Sequence, residues 1–96
     1  MSALLIVELT VKDPAALKEY SSQTPDILKR FGGEVVLKAK PVVLHDSAAD
    51  AAAYEMMVVF KFPDGAAAQA WYDSQEYQSL IPVRDKAMSS RFRIIA

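Results

Sequence analysis

The hydrophobic pattern first predicts a strand over residues 4–11. Every second residue from Leu5 to Val11 is apolar, which places an apolar stripe on one face of a strand. The opposite face begins with Leu4 and Ile6 and only then becomes polar. Because this strand is apolar on both faces over half its length, we expect it in the centre of a sheet, partly covered on both sides.

A helix is predicted to follow this strand. Asp13 can cap the free backbone N–H groups of the first turn, and Pro14 fits that turn because an N–H there has no intrahelical partner. The inner stripe at helical spacing consists of Leu17, Tyr20, Thr24, Ile27, Leu28 and Phe31. Because this stripe continues across Pro25, we expect a kink there, and we expect the left-handed conformation of Gly32-Gly33 to end the helix.

A second strand is predicted over residues 34–40, with residues 41–44 as a bent extension. Strands accept proline mainly at sheet edges or bulges, so Pro41 predicts an edge strand. Residues 45–53 have no apolar period and are expected to form a loop.

The third strand is predicted over residues 54–62, where the alternation is clearest. One face carries Tyr54, Met56, Val58, Phe60 and Phe62. The opposite face is apolar at its centre, at Met57 and Val59, so this strand is also expected in the middle of the sheet.

Two helices and a final strand are predicted in the last third of the chain. The first helix follows Pro63-Asp64-Gly65 and turns inward Ala67, Ala68, Trp71 and Tyr72. Asp73-Ser74 ends it, and Ser74 can cap a second helix that is expected to bend at Pro82. The inner stripe of that second helix is Tyr77, Leu80, Ile81, Arg84 and Met88. The final strand is predicted over residues 91–95.

The two halves of the chain match weakly at an offset of about fifty residues, as in a duplicated β-α-β unit. Asp13 corresponds to Asp64, and Tyr20 corresponds to Trp71. The order β-α-β-β-α-β predicts an α+β, ferredoxin-like fold with one antiparallel four-stranded sheet and helices on one face. Right-handed crossovers place the first and third strands side by side in the middle. One such domain is expected to occupy residues 1–96.

The face of the sheet without helices would expose an apolar patch. This patch consists of Leu4, Ile6, Met57 and Val59, and Glu8, Lys38, Glu55, Lys61 and Arg93 are expected around it. Because monomers rarely expose contiguous apolar surface, we expect a homodimer packed sheet against sheet.

Composition narrows the classes of function. The chain has 96 residues, 52% of them hydrophobic, and a formal net charge of −1. It has no basic stripe for nucleic acid, no apolar run long enough to span a membrane, and no cysteine for disulfides or thiolate ligands. Met1-Ser2-Ala3 leads straight into the first strand, so no signal peptide and a cytoplasmic location are expected.

Several segments resemble the family known as domain of unknown function 1330. They are Asp13-Pro14 with Tyr20, Phe31-Gly32-Gly33, Phe60-Lys61-Phe62-Pro63, and Ala70-Trp71-Tyr72-Asp73-Ser74-Gln75-Glu76-Tyr77 with Arg84. The resemblance implies membership of the dimeric α/β-barrel superfamily, which includes cofactor-free monooxygenases, isomerases and haem-degrading proteins. It implies the fold and a dimer but no particular reaction.

Arg84 is the most unusual residue of the predicted inner stripes. Arginine stays charged and is rarely buried without a partner. One interpretation is a structural ion pair with Asp73, Glu76 or Asp46. The other is a forked contact to a carboxylate or enolate of a small ligand.

The remaining candidate residues also have structural alternatives. Tyr72, Ser74 and Tyr77 could offer hydroxyl groups to a ligand with Trp71 behind them, or they could be core aromatics and a helix cap. His45, the only histidine, could act with Asp46 in acid–base chemistry or be a solvated loop residue. No metal-ligand spacing and no phosphate loop is present, so no metal and no cofactor is predicted.

Three hypotheses for function remain at this point. The first is a cofactor-independent enzyme or binder of a small acidic or aromatic molecule, with Arg84 and a tyrosine stabilising an oxyanion. The second is a non-catalytic structural or regulatory dimer, which should lack a concave pocket with convergent polar groups. The third and weakest is a haem-binding protein with His45 as ligand.

Overall fold

The computed structural model describes residues 2–47 and 54–96. The strands are β1 (Ala3–Val11), β2 (Glu34–Ala39), β3 (Met56–Phe62) and β4 (Met88–Ile95). The helices are α1 (Pro14–Arg30), α2 (Gly65–Asp73), α3 (Gln75–Gln78) and α4 (Ile81–Ala87). None of the helices in the described ranges is both long and apolar enough to span a bilayer.

The four strands form one antiparallel sheet in the order β2-β3-β1-β4. The prediction that β1 and β3 lie side by side in the centre is therefore confirmed, and so is the position of β2 at an edge. Val7 lies opposite Val58 on one neighbour of β1 and opposite Phe92 on the other. The sheet itself is open rather than closed.

The core lies between the helices and one face of this sheet. In β1 the buried residues alternate from Ala3 to Leu9, as the period of two predicts. The helices contribute fully enclosed aromatic side chains, of which Trp71 and Tyr77 are the largest. The residues that share this core are Leu5, Val7, Leu9, Ala16, Tyr20, Ile27, Leu28, Val58, Phe62, Ala68, Trp71, Tyr77, Leu80, Ala87 and Met88.

Helix α1 begins and ends at the residues that the sequence predicts. The Asp13 carboxylate accepts hydrogen bonds from the N–H groups of Ala15 and Ala16, at 3.1 and 3.2 Å. The helix continues through Pro25 without ending. Gly32 has a φ of 76°, and a Cβ there would also meet the Pro63 ring at 2.9 Å, so glycine fits this stop for two reasons.

The helical part of the second half is more broken than predicted. The single bent helix expected from Gln75 onward is instead two short helices, α3 and α4, separated at Ser79-Leu80. Pro82 lies in the first turn of α4, where it starts a helix rather than bending one. Met88, expected in that helix, is the first residue of β4 and is buried.

Strand β2 departs from the predicted alternation. A β-bulge between Val35 and Leu37 lets Val35 pair with Phe60 but shifts Leu37 opposite Val59. An extra residue in a strand reverses the faces of all residues that follow. Lys38 was predicted on the open face and instead lies opposite Val58, on the helix-covered face.

Of two further expectations about the region after β2, the strand extension was wrong and the loop falls only partly within the described residues. Residues 41–44 do not extend the strand, and Val42 and Leu44 are 85% and 96% exposed. Of the predicted loop, residues 48–53 lie outside the described residues.

Candidate functional site

An open cleft lies at the β4 side of the molecule, where α2 and α4 meet the sheet. We call it the Arg84 cleft, and its volume is about 640 Å³. It is lined by Leu5, Lys12, Gln69, Tyr72, Arg84, Asp85, Met88, Ser89, Ser90, Phe92 and Ile94. Of the residues that the sequence singled out, Arg84 and Tyr72 line this cleft.

Arg84 is held by two tyrosines and by its own neighbour. Its Nη1 group donates to the Tyr72 hydroxyl at 2.9 Å and to the Tyr77 hydroxyl at 3.4 Å. Its Nε and Nη2 groups both lie 3.1 Å from the Asp85 carboxylate oxygen Oδ1. The guanidinium carbon also lies 5.2 Å from the centre of the Phe92 ring, a cation–π distance.

The ion pair of Arg84 is not one of those that the sequence suggested. Two of the predicted partners are engaged elsewhere, since Glu76 contacts Arg30 and Asp73 accepts from Gln69. The partner found is Asp85, which α4 places beside Arg84 at the surface. Helical spacing does not predict this contact, because consecutive side chains on a helix do not normally face each other.

The charge of Arg84 is only weakly offset. The Arg84 side chain is 12% exposed, whereas that of Asp85 is 62% exposed and therefore well screened by water. Burial lowers the pKa of Arg84, but the hydrogen bonds with Tyr77 and Tyr72 outweigh it and the net pKa is raised. The guanidinium is thus a permanent cation in the cleft wall, and Lys12 adds a second one.

A second hydrogen bond continues from Tyr77 into the core. The hydroxyls of Tyr77 and Tyr20 are 2.7 Å apart, and their rings meet edge to face. Burial raises the pKa of both phenols, and for Tyr20 the neighbouring Tyr77 raises it further. Both hydroxyls therefore remain protonated at neutral pH.

Ser74 and Trp71 have structural roles. The Ser74 hydroxyl donates to the Trp71 carbonyl at 2.7 Å and accepts from the Tyr77 N–H at 3.1 Å, so it caps α3 as predicted. Trp71 is 1% exposed and packs on Tyr77 with ring centres 4.3 Å apart. Neither residue lines the cleft, although both fix the position of Tyr77 behind it.

A smaller apolar cavity lies between α1 and the sheet, and we call it the α1 cavity. Its volume is about 180 Å³. Its lining comprises Val7, Leu9, Leu17, Tyr20, Ser21, Thr24, Val35, Lys38, Met56, Val58, Phe60, Met88 and Phe92. Met88 and Phe92 therefore belong to the walls of both spaces.

His45 is not brought to either space. It is exposed in the segment after β2 and is absent from the lining of the Arg84 cleft and of the α1 cavity. Within the described ranges, no group of three His, Cys, Asp or Glu side chains could hold a metal ion.

Five polar cleft residues were missed by the sequence reasoning. They are Lys12, Gln69, Asp85, Ser89 and Ser90. The available signal was the pair of small polar residues just before the final apolar alternation. That signal is weak without knowing that β4 begins at Met88 and runs beside β1.

Solved structures similar to this chain share the ferredoxin-like fold. A protein of unknown function from Rhodopseudomonas palustris, RPA0582, has a TM-score of 0.76 at 16% identity, over 98% of this chain and 80% of that one. SnoaB, a cofactor-independent oxygenase from Streptomyces nogalater, has a TM-score of 0.68 at 11% identity, over 99% and 91%. A dimeric ferredoxin-like protein of unknown function from Jannaschia sp. has a TM-score of 0.58 at 13% identity, over 100% and 99%.

At these identities the likeness concerns the fold alone. A comparison with curated proteins gives no significant match. The model of the family described as domain of unknown function (DUF1330) matches residues 2–96. Because that match spans nearly the whole sequence, the chain belongs to this family.

Proposed function

We propose that the protein binds a small organic acid or phenol in the Arg84 cleft and stabilises negative charge on its oxygen. The observation that carries this proposal is the pairing of Arg84 with Tyr72 at the cleft wall. A cleft of about 640 Å³ lies within the range that small-molecule sites occupy.

The direction of the hydrogen bonds makes this wall a donor surface. Arg84 has only N–H groups, so the Tyr72 oxygen accepts in their contact. The Tyr72 proton is then free to donate, and among the described residues no acceptor is found for it. One N–H of the Arg84 Nη2 group is likewise unused, so two donors are available to one ligand anion.

The same donors could serve in catalysis. A carboxylate, enolate or phenolate carries its charge on oxygen, where a fixed guanidinium and a hydroxyl would stabilise it. The Phe92 and Tyr72 rings supply flat apolar walls for an aromatic body. The chemistry supplied by the chain is therefore positioning of the ligand and stabilisation of an oxyanion.

The competing hypotheses receive less support. A purely structural module would not need convergent donors in a concave wall. The haem hypothesis depended on His45, which lines neither space. SnoaB is a cofactor-independent oxygenase with a similar fold, which is compatible with chemistry of this kind, although fold analogy alone does not assign activity.

The proposal is tested with benzoate as a probe, by calorimetry and by thermal shift. Arg84→Lys keeps the charge but loses the planar guanidinium whose Nη1 group holds the Tyr72 hydroxyl, so we expect benzoate affinity to fall by about tenfold or more. Arg30→Lys is the matched control, because Arg30 pairs with Glu76 on the surface outside the cleft. Equal benzoate affinity for wild type and Arg84→Lys would contradict the proposal.

We also propose that two copies pack through the open faces of their sheets. On this face the half-buried residues Ile6, Met57 and Val59 adjoin the exposed Leu4, Leu37 and Ile95. The bulge in β2 adds Leu37 to this apolar patch. Patches of this kind usually mark interfaces, and a structural neighbour is described as dimeric.

Three charged residues beside the patch form one ion-pair cluster. Glu8 is 16% exposed and binds Arg91 and Arg93 at 2.7 and 2.6 Å. Because Glu8 is paired within one copy, it could enter an interface without becoming a lone buried charge, while the cluster as a whole carries one net positive charge.

The oligomeric state provides the test. Val59→Lys places an unpaired charge at the centre of the patch, and light scattering at micromolar concentration should show a monomer. Ala70→Lys adds the same charge on the helix layer and should leave the dimer intact. A wild-type monomer at that concentration would overturn this proposal.

A further inference from the structure

The α1 cavity opens to solvent between α1 and the edge strand β2. Ser21, on α1, and Val35 and Lys38, on β2, border it and are exposed. The deeper lining is apolar apart from two hydroxyl-bearing side chains, the half-buried Thr24 and Tyr20, which is 8% exposed. Tyr20 is the more deeply buried of the two, which raises the question of where its hydroxyl proton is directed.

The hydroxyl groups of Tyr20 and Tyr77 together have one more proton to donate than the two of them can accept. Arg84 must donate to Tyr77, so the Tyr77 oxygen is an acceptor in that contact. The two hydroxyls contribute two protons, and one of them forms the bond between the two oxygens. The second proton has no acceptor among the described residues.

The surplus proton is best placed on Tyr20. Tyr77 is fully enclosed and lines neither the Arg84 cleft nor the α1 cavity, so a proton left on it would meet no partner. If Tyr77 donates to Tyr20, the free proton belongs to the residue that borders the cavity. A buried hydroxyl without an acceptor is unfavourable, so this arrangement favours an acceptor inside the cavity.

We propose that the α1 cavity is a second binding site, for a small neutral molecule with one ring and one hydrogen-bond-accepting oxygen. A cavity of about 150 Å³ with an apolar lining holds a benzene ring, and this one measures about 180 Å³. The apolar depth disfavours a charged ligand, because no cation faces it below the exposed Lys38. This site is separate from the anion site at Arg84, although Met88 and Phe92 line both spaces.

Acetophenone and ethylbenzene are the probes, since they have similar shapes and only the first has an acceptor oxygen. Binding is measured by NMR titration of the full chain, for wild type and for Tyr20→Phe. Loss of the Tyr20 hydroxyl should lower the ratio of acetophenone to ethylbenzene affinity by about fivefold to tenfold. Tyr54→Phe removes a hydroxyl outside both spaces and should leave the ratio unchanged.

Ethylbenzene serves as the internal control for folding, because its binding to Tyr20→Phe shows that the cavity is intact. Shift changes should concentrate at Thr24, Val35 and Met56. The proposal is overturned if the affinity ratio is the same in both proteins, if neither probe shifts these residues, or if the shifts concentrate at Ser89 and Ser90. These outcomes concern the α1 cavity alone, and the benzoate titration tests the Arg84 cleft separately.

Discussion

The two spaces of this molecule share part of a wall but differ in the chemistry that they present. The Arg84 cleft is wide and offers a cation, a second cation at Lys12 and hydroxyl groups. The α1 cavity is less than a third of its size and almost wholly apolar. Between them stand Met88 and Phe92, and behind these lies the buried Tyr77.

The difference arises from the helices that form each space. Helix α1 is continuous for 17 residues and turns one apolar stripe toward the sheet. The corresponding part of the second half is divided into α2, α3 and α4. Helix α4 places Arg84 beside Tyr72 of α2 and over the Phe92 ring of β4. A broken helix layer thus produces a polar opening where a continuous one produces an apolar one.

Truncation of Tyr77, which lies behind the wall that the two spaces share, is expected to have the largest effect. Tyr77→Ala removes a ring that is 0% exposed and packed against Trp71, so it should destabilise the protein by about 3–5 kcal/mol. Tyr72→Ala removes a half-buried ring at the cleft and should cost about half as much or less. Urea unfolding measures both values, and equal values would show that Tyr77 is not the central support of the two spaces.

High pH is expected to have the second largest effect, because it destabilises the fold through the buried Tyr20 and Tyr77. The folded-state pKa values of Tyr20 and Tyr77 are raised, so above pH ~10 the folded state binds more protons than the unfolded state. Stability is therefore unaffected below that pH and falls above it, by up to ~1.4 kcal/mol per pH unit for each tyrosine. Unfolding measured from pH 9 to pH 11.5 should show this fall, and Tyr20→Phe should reduce its slope. A slope that Tyr20→Phe leaves unchanged would argue against this linkage.

Loss of the junction cap should have the smallest effect. Ser74→Ala removes the hydroxyl that holds the first turn of α3 and should destabilise the protein by about 1 kcal/mol. Ser79→Ala is the matched control, because its exposed hydroxyl only donates to a carbonyl within the preceding turn, and little change is expected. If the two variants unfold at the same urea concentration, Ser74 does not position Tyr77 in the way described.

Much of the fold could be read from local patterns. The caps at Asp13 and Asp64 occupy equivalent places at the starts of α1 and α2, as the internal repeat predicted. The stop at Gly32 also follows from local conformation. These features depend on a few neighbouring residues, so their signal is present in the sequence itself. The central position of β1 and β3 followed because both are apolar on two faces.

The candidate site was less predictable. Arg84 could be identified as unusual from its place in an apolar stripe, but its neighbours could not. Lys38 was assigned to the wrong face because one bulge reverses the alternation, and the residues of β2 do not indicate that bulge. The predicted last helix is divided at Ser79-Leu80, just before Pro82, which begins α4 and has no N–H with which to continue α3.

The sequence by itself determined the order of elements, the covered face of the sheet and the junction at Ser74, because periodicity and capping act over short distances. The tertiary structure decided the contacts that give the site its chemistry. Tyr20 and Tyr77 are 57 residues apart, and their hydroxyls meet only once α1 and α3 are packed on one sheet. Such contacts depend on register and packing, which no local pattern encodes.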